Sequence, residues 1–208
     1  MRADTEKLIL EKGAKLVRKN GFNRTSLKMI LDEAGVPKGS FYYYFETKEV
    51  FGIKLIEYLH SSIIPVFASV ANADSSDLEP LDRLKAFFGY FRTTFTSEEI
   101  MSGCPIGNIS QEMAALNPRF RAKLTEVFKD ITSPIAQCLQ QAVDQGSLSG
   151  DTDPAELADF IVNSWQGALI ALKVRNTAEP LLTFEKYVFD HLLKPERPAE
   201  QEPEKTGP

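Results

Sequence analysis

The side chains best suited to chemistry in this chain sit between residues 25 and 48. There Thr25, Lys38, Ser40, Tyr42, Tyr43 and Lys48 gather hydroxyls, phenols and cations around one short aromatic run, FYYYF. None of them forms a nucleophile with a base at its side. The two histidines, His60 and His191, are far apart in sequence, and the spacing of Cys104 and Cys138 fits neither a disulfide framework nor a zinc motif. No phosphate-cradling glycine fingerprint occurs. An enzyme is therefore not expected, nor a metal, nor a cofactor. Ammonium and hydroxyl groups close to a glycine instead suit the phosphates and base edges of a nucleic acid.

Short helices would have to position these groups. Leu27, Ile30, Leu31 and Ala34 recur at the spacing of one helical face, with Thr25 or Ser26 as the cap. Gly35 falls where a left-handed residue ends a helix, and Val36-Pro37 imposes an extended turn before a second helix starts at Lys38. In that helix Phe41 and Phe45 are four apart and face the core. Gly39 and Tyr43 then point directly away from it, with Ser40, Tyr42 and Tyr44 on the flanks. An exposed helical glycine is unfavourable by about 1 kcal/mol against alanine unless another molecule must come close. Thr47 and Lys48 open a further helix, whose amides and ammonium together suit an anion. This is a helix-turn-helix over about residues 26–45. Gly39, Ser40 and Tyr43 are expected near base edges, Thr25, Tyr42 and Lys48 on the backbone, and Lys38 on either.

The run GVPKGSFYYYFETKEVF resembles the DNA-binding domain of the TetR family of transcriptional regulators. The likeness lies in the turn glycine, the K-G-S that opens the recognition helix, the Y-x-Y/H-F pattern, and the T-K-E that opens the following helix. It extends through the leading segment LILEKGAKLVRKNGFNRTS, where Ala14, Val17 and Phe22 fit a helix ending in a G-F turn. The resemblance implies an all-α fold, with a three-helix DNA-binding domain followed by a helical domain for ligand binding and dimerisation. Beyond residue 65 it concerns architecture more than particular residues.

Composition agrees without having suggested this. The 208 residues, 43% hydrophobic and 25% charged, are ordinary for a globular protein, and the net charge of −5 argues weakly against a nucleic acid. The charge is unevenly spread, however. Residues 1–50 hold ten Lys/Arg against seven Asp/Glu, and the rest hold fourteen against twenty-two. No apolar run approaches the length of a membrane span and no secretory leader opens the chain, so a cytoplasmic protein is expected. The domains read as 3–63 for DNA binding, 64–193 for ligand binding and dimerisation, and 194–208 as a disordered Pro/Glu/Lys tail. Helices are expected over 48–70, 82–95, 106–115, 117–145, 154–175 and 182–193, with bends at Pro65 and Pro134.

The segment 154–175 carries two apolar stripes. Ala158, Ile161, Val162, Trp165, Ala168, Leu169 and Leu172 form a wide one, and Ser164, Gly167, Ala171 and Val174 a second one of small residues. Two buried faces need two partners. With 182–193, including Tyr187, the small stripe fits half of a four-helix interface between two copies. Phe91, Met113, Phe128 and Trp165, together with Cys104 and Asn108 of the GCPIGN segment, are candidates for a ligand pocket. Asn108 equally suits a cap or a satisfied core group, and Cys104 before Pro105 suits either a buried thiol or one activated by a helix N-terminus. The reading is a homodimeric repressor on double-stranded operator DNA, released by a small apolar or aromatic inducer. The alternative is a regulator controlled through the Cys104 thiol or by a protein partner.

Overall fold

Helices begin in this chain where a side-chain oxygen or a proline can receive them. Ser26, Thr47, Asn117 and Asp153 accept hydrogen bonds from the first-turn amides of Met29, Val50, Phe120 and Glu156. Pro80, Pro105, Pro118, Pro154 and Pro180 occupy first-turn positions, where a missing N–H is harmless. The computed structural model describes residues 2–72, 77–97 and 103–194, and the regular structure among them is all helical. The elements are α1 (Arg2–Asn20), α2 (Leu27–Ala34), α3 (Lys38–Phe45), α4 (Lys48–Ala71), α5 (Pro80–Thr96), α6 (Pro105–Met113), α7 (Pro118–Asp144), α8 (Pro154–Arg175) and α9 (Glu179–Tyr187). The tail expected over 194–208 lies outside the described residues beyond Lys194.

Both Pro65 and Pro134 lie inside continuous helices, α4 and α7. Two expectations need correction. The last helix starts earlier than expected, at Glu179, and ends in a π-helical turn, Val188–Leu192, closed by a 2.8 Å bond from Leu193 N to Val188 O. That turn lets both Val188 and Leu193 reach the core. Finally, α4 is long and apolar enough to cross a membrane by length and composition alone. Here it is the central strut, packed on α1, α5, α6 and above all α7.

The first four helices form a head around Ile9, Val17, Phe22, Ile30, Phe41, Phe45, Phe51 and Leu55, all buried. Phe41, Phe45 and Phe51 pack with ring centroids 5.0–5.7 Å apart. The head meets the body at Gly52, where any Cβ would run into the rings of Phe22 and Phe120, so α1's exit, α4 and α7 close on one another only because that position is glycine. At the far end of α4 the last carbonyls are received by side chains. Arg83 Nε donates to Val70 O at 2.7 Å and Gln141 Nε2 to Ala71 O at 2.8 Å, while Arg83 also bonds Gln141 Oε1. The buried Arg83 guanidinium thereby ties α4, α5 and α7 together.

Candidate nucleic-acid interface and regulatory cavity

The α2–α3 unit has the geometry that the spacing implies. Ser26 caps α2, and Gly35 ends it at φ 64° with Val36 N reaching back to Leu31 O at 3.2 Å. Phe41 and Phe45 of α3 are fully buried, whereas Tyr43 is 66% exposed and Tyr42 46%. Lys38 and Gly39 are exposed and Ser40 half-buried, so one outward surface carries Lys38, Gly39, Ser40, Tyr42 and Tyr43. Lys38 Nζ lies 5.8 Å over the Tyr42 ring. A Cβ placed on Gly39 would meet nothing within 4 Å. Nothing among the described residues accounts for a glycine there.

Two of the residues assigned to the phosphate backbone are engaged within the fold. Thr25 is fully buried and its hydroxyl donates to Gly21 O at 2.7 Å, so it closes the turn after α1 and presents no group to a partner. Lys48 Nζ donates to Asn23 O at 3.1 Å and lies 4.8 Å over the Phe22 ring. Partial burial pulls its pKa below the ordinary lysine value, against the opposing charge of Glu112. Lys48 is half-buried, with an ammonium that has three donors, and it is the first residue of α4, which begins soon after α3 ends at Phe45.

A cavity of about 130 Å³ lies in the body. Leu59, Ile63 and Phe67 of α4, Phe87, Phe88, Phe91 and Phe95 of α5, Ile131 and Ile135 of α7, and Val162, Trp165 and Leu169 of α8 line it, with Cys104 and Pro105 at one end. Among the pocket residues suggested by sequence, Phe91, Cys104 and Trp165 meet here. Asn108, Met113 and Phe128 do not. Phe128 stands one residue beyond Val127 on α7, turned off the buried face of Leu124, Val127 and Ile131, and lines a separate open groove on α6 and α7. Asn108 accepts from Lys173 Nζ at 3.4 Å on the outer side of α6, whose inner side carries Ile106 and Ile109. Met113 packs half-buried at the end of α6.

Cys104 caps α6, with Gly107 N donating to its sulfur at 3.4 Å. The residue as a whole is half-buried but the thiol itself is enclosed. Burial pushes its pKa up despite the hydrogen bonds with Gly107 and Gln166 and the charge of Arg18. The expectation of a thiol activated by the helix N-terminus is thereby corrected, because desolvation outweighs the cap. On α8, Gly167 and Val174 are exposed and Ser164 and Ala171 half-buried, in line with exposed Phe160 and Ile170. Tyr187 is 59% exposed on α9, close in sequence to exposed Leu182 and Leu192. A Cβ on Gly167 would meet nothing within 4 Å.

The links between head and body were not foreseen from sequence. Glu112 of α6 accepts the Phe22 and Asn23 amides at 2.9 and 2.8 Å, holding the turn that Lys48 also holds. Glu49 at the start of α4 binds Arg119 at 2.7 Å and Asn117 at 2.8 Å at the start of α7. Arg18, near the end of α1, lines the cavity. These pairs join residues about as far apart as the two domains, so no local spacing signals them.

A capped helix-turn-helix with an outward aromatic and cationic face, set on a helical body that contains an apolar cavity, defines a helical DNA-binding regulator. The N-terminal part matches the family described as bacterial regulatory proteins of the tetR family over residues 9–51, and the body matches the tetracyclin repressor-like C-terminal domain over residues 80–188. The chain is 33% identical to the HTH-type transcriptional repressor DhaR of Mycobacterium sp. strain GP1 over 185 residues, 89% of this chain and 90% of that one. It is 34% identical to the transcriptional regulator AcuR of Cereibacter sphaeroides, covering 89% and 84% of the two chains. A solved TetR regulatory protein from Rhodobacter sphaeroides superposes with a TM-score of 0.81 at 32% identity, over 89% of this chain and 97% of its own. The chain belongs to the TetR family of transcriptional regulators.

Proposed function

We propose that this chain is a homodimeric, cytoplasmic repressor that binds a palindromic operator and releases it when a small apolar or aromatic ligand enters the cavity of the body. The observation that carries this reading is the position of α4. One end of the helix follows directly on α3 and holds Lys48 against the turn after α1, and its other half, at Leu59, Ile63 and Phe67, forms a wall of the cavity. Anything that widens the cavity moves the helix on which the head is mounted. Lys38, Gly39, Ser40 and Tyr43 face the major groove in this reading, with Tyr42 and Lys48 on phosphates. The stripe from Phe160 through Gly167 to Val174 packs against its symmetry mate together with Tyr187 of α9. Two equivalent heads then occupy half-sites about 34–36 Å apart, or a multiple of that. The domains divide as 3–63 for the DNA-binding head and 64–193 for the body, with α4 passing from one into the other. Control through the Cys104 thiol is not favoured, because its burial keeps the thiol protonated at neutral pH.

Trp165, the single tryptophan, reports on the cavity that it lines. An inducer should change its fluorescence and release operator DNA over one concentration range, and Trp165→Ala should retain operator binding while blunting release. Release that is unaffected by that substitution would place the inducer elsewhere.

A further inference from the structure

We propose that the inducer is an anion, a small monocarboxylate with an apolar body, and that its carboxylate is received by Arg18. This rests on the cavity being the inducer site. Arg18 comes from α1 of the head, yet it lines the cavity of the body, and its Nε is buried without a hydrogen-bond partner. A guanidinium does not lose its proton in a protein, so the half-buried side chain, which also borders an open polar groove with Glu112, keeps its charge, and its buried Nε–H stays without an acceptor until a ligand supplies one. The other polar groups on the cavity wall are already engaged. Ser62 Oγ donates to Leu59 O at 2.7 Å, Thr94 Oγ1 to Tyr90 O at 3.0 Å, and Gln166 is hydrogen-bonded with the Cys104 thiol. Glu112, which lines an open groove together with Arg18, is held by the amides of Phe22 and Asn23. Among the described residues that line the cavity, Arg18 is thus the one with a buried donor, Nε–H, that has no acceptor, and its planar fork matches a carboxylate.

Size narrows the class further. A cavity of about 150 Å³ with apolar walls admits benzene, and the volume here is about 130 Å³. The apolar body is therefore one ring or a short hydrocarbon chain, held among Phe88, Phe91, Phe95 and Trp165 with the carboxylate toward α1. Binding would draw Arg18 inward two residues before α1 ends at Asn20, next to the turn that Glu112 and Lys48 hold. The ligand would then act on the head directly as well as through α4.

The test uses the full chain at pH 7 with benzoate and crotonate as probes and benzamide and crotonamide as their uncharged counterparts, read by Trp165 fluorescence and by operator release. At least one acid should bind about tenfold or more tightly than its amide, the preference expected of a charge-assisted bidentate contact. Arg18→Gln should erase that preference while leaving ligand-free operator binding and helical content near wild type, and Arg18→Lys should restore part of it. Amides that bind as well as the acids, or an acid preference that persists in Arg18→Gln, would overturn the carboxylate inference while leaving the cavity as the inducer site. If none of the four compounds perturbs Trp165 or the operator complex, the cavity reading falls and this inference with it.

Discussion

Replacing Gly39 by alanine separates what DNA requires from what the fold requires, because the two act with opposite sign. In the free protein the new methyl meets nothing within 4 Å and the residue is exposed. The substitution therefore introduces no strain. Gly39 is the second residue of α3, and alanine there should stabilise the helix by about 0.5–1 kcal/mol relative to glycine. For a chain of this length that raises Tm by about 1–4 °C. If α3 enters the major groove as proposed, the same methyl points where a base edge or phosphate comes close. The displacement should weaken operator binding by about 1–3 kcal/mol, the range of one mismatched base pair, or roughly 5- to 150-fold. The two quantities come from a thermal melt and from an operator titration at fixed salt. A variant that melts no lower than wild type and still binds operator with unchanged affinity would refute a close approach at Gly39, and with it the assignment of this face of α3.

Lys48→Ala should weaken binding to operator and to random DNA alike and reduce the slope of log K against log salt by about one unit; an unchanged slope on both DNAs would remove Lys48 from the interface. Gly167→Glu adds a side chain where nothing described in the monomer obstructs it, so it should leave helical content intact and convert the dimer to monomer in sedimentation, with loss of operator affinity and of the stability that association supplies. A dimer of full strength would exclude this face of α8. Glu112→Ala removes the acceptor of two amides and should lower stability by about 1–3 kcal/mol, with faster hydrogen exchange at Phe22 and Asn23 as the local readout; unchanged exchange would count against the clamp. Burial raises both thiols, Cys104 and Cys138, above the ordinary value of 9.0. Unfolded thiols therefore ionise first, and this contribution to stability is complete below pH 9 and is lost as pH rises through the raised folded values. Urea melts of wild type and Cys138→Ala from pH 7 to above 9 should converge as pH rises, and a constant gap would contradict the raised thiol.

The head was legible in the sequence because its signals are local. A serine cap, a glycine at a left-handed position and two phenylalanines four residues apart fix α2 and α3 without reference to the rest of the chain. Thr25 was misread for the complementary reason. Its hydroxyl is taken by a carbonyl four residues back, and residue type alone does not distinguish a turn-closing threonine from a phosphate contact. The cavity was half legible. Aromatic residues on α5 and Trp165 on α8 were expected to meet, but a residue's helical phase decides which wall it faces, and a single step from Val127 to Phe128 turns the side chain out of the core. Glu112 and Arg18 went unnoticed because each looks like an ordinary surface charge until the partner helix is in place.

Those two unforeseen residues also bear on how a ligand so small could switch the protein. Shifting an operator-competent population from nearly all to nearly none requires the ligand to favour the released state by about 10⁴-fold, or roughly 5.5 kcal/mol. At about 25 cal/mol per Å² that equals some 220 Å² of apolar surface buried in the released state alone. A one-ring ligand in a cavity of about 130 Å³ has little more surface than that in total, and it would bury much of it whichever state the cavity adopts. Apolar burial therefore supplies affinity more readily than it supplies preference. The preference has to come from a contact that differs between the states, and a group anchored in the head but reaching into the body is placed to make one. Arg18 meets that description, being a residue of α1 in the head that lines the cavity of the body. On the proposed reading, the Phe22–Asn23 turn that follows it, held by Glu112 and Lys48, would be the element whose restraint the ligand has to overcome.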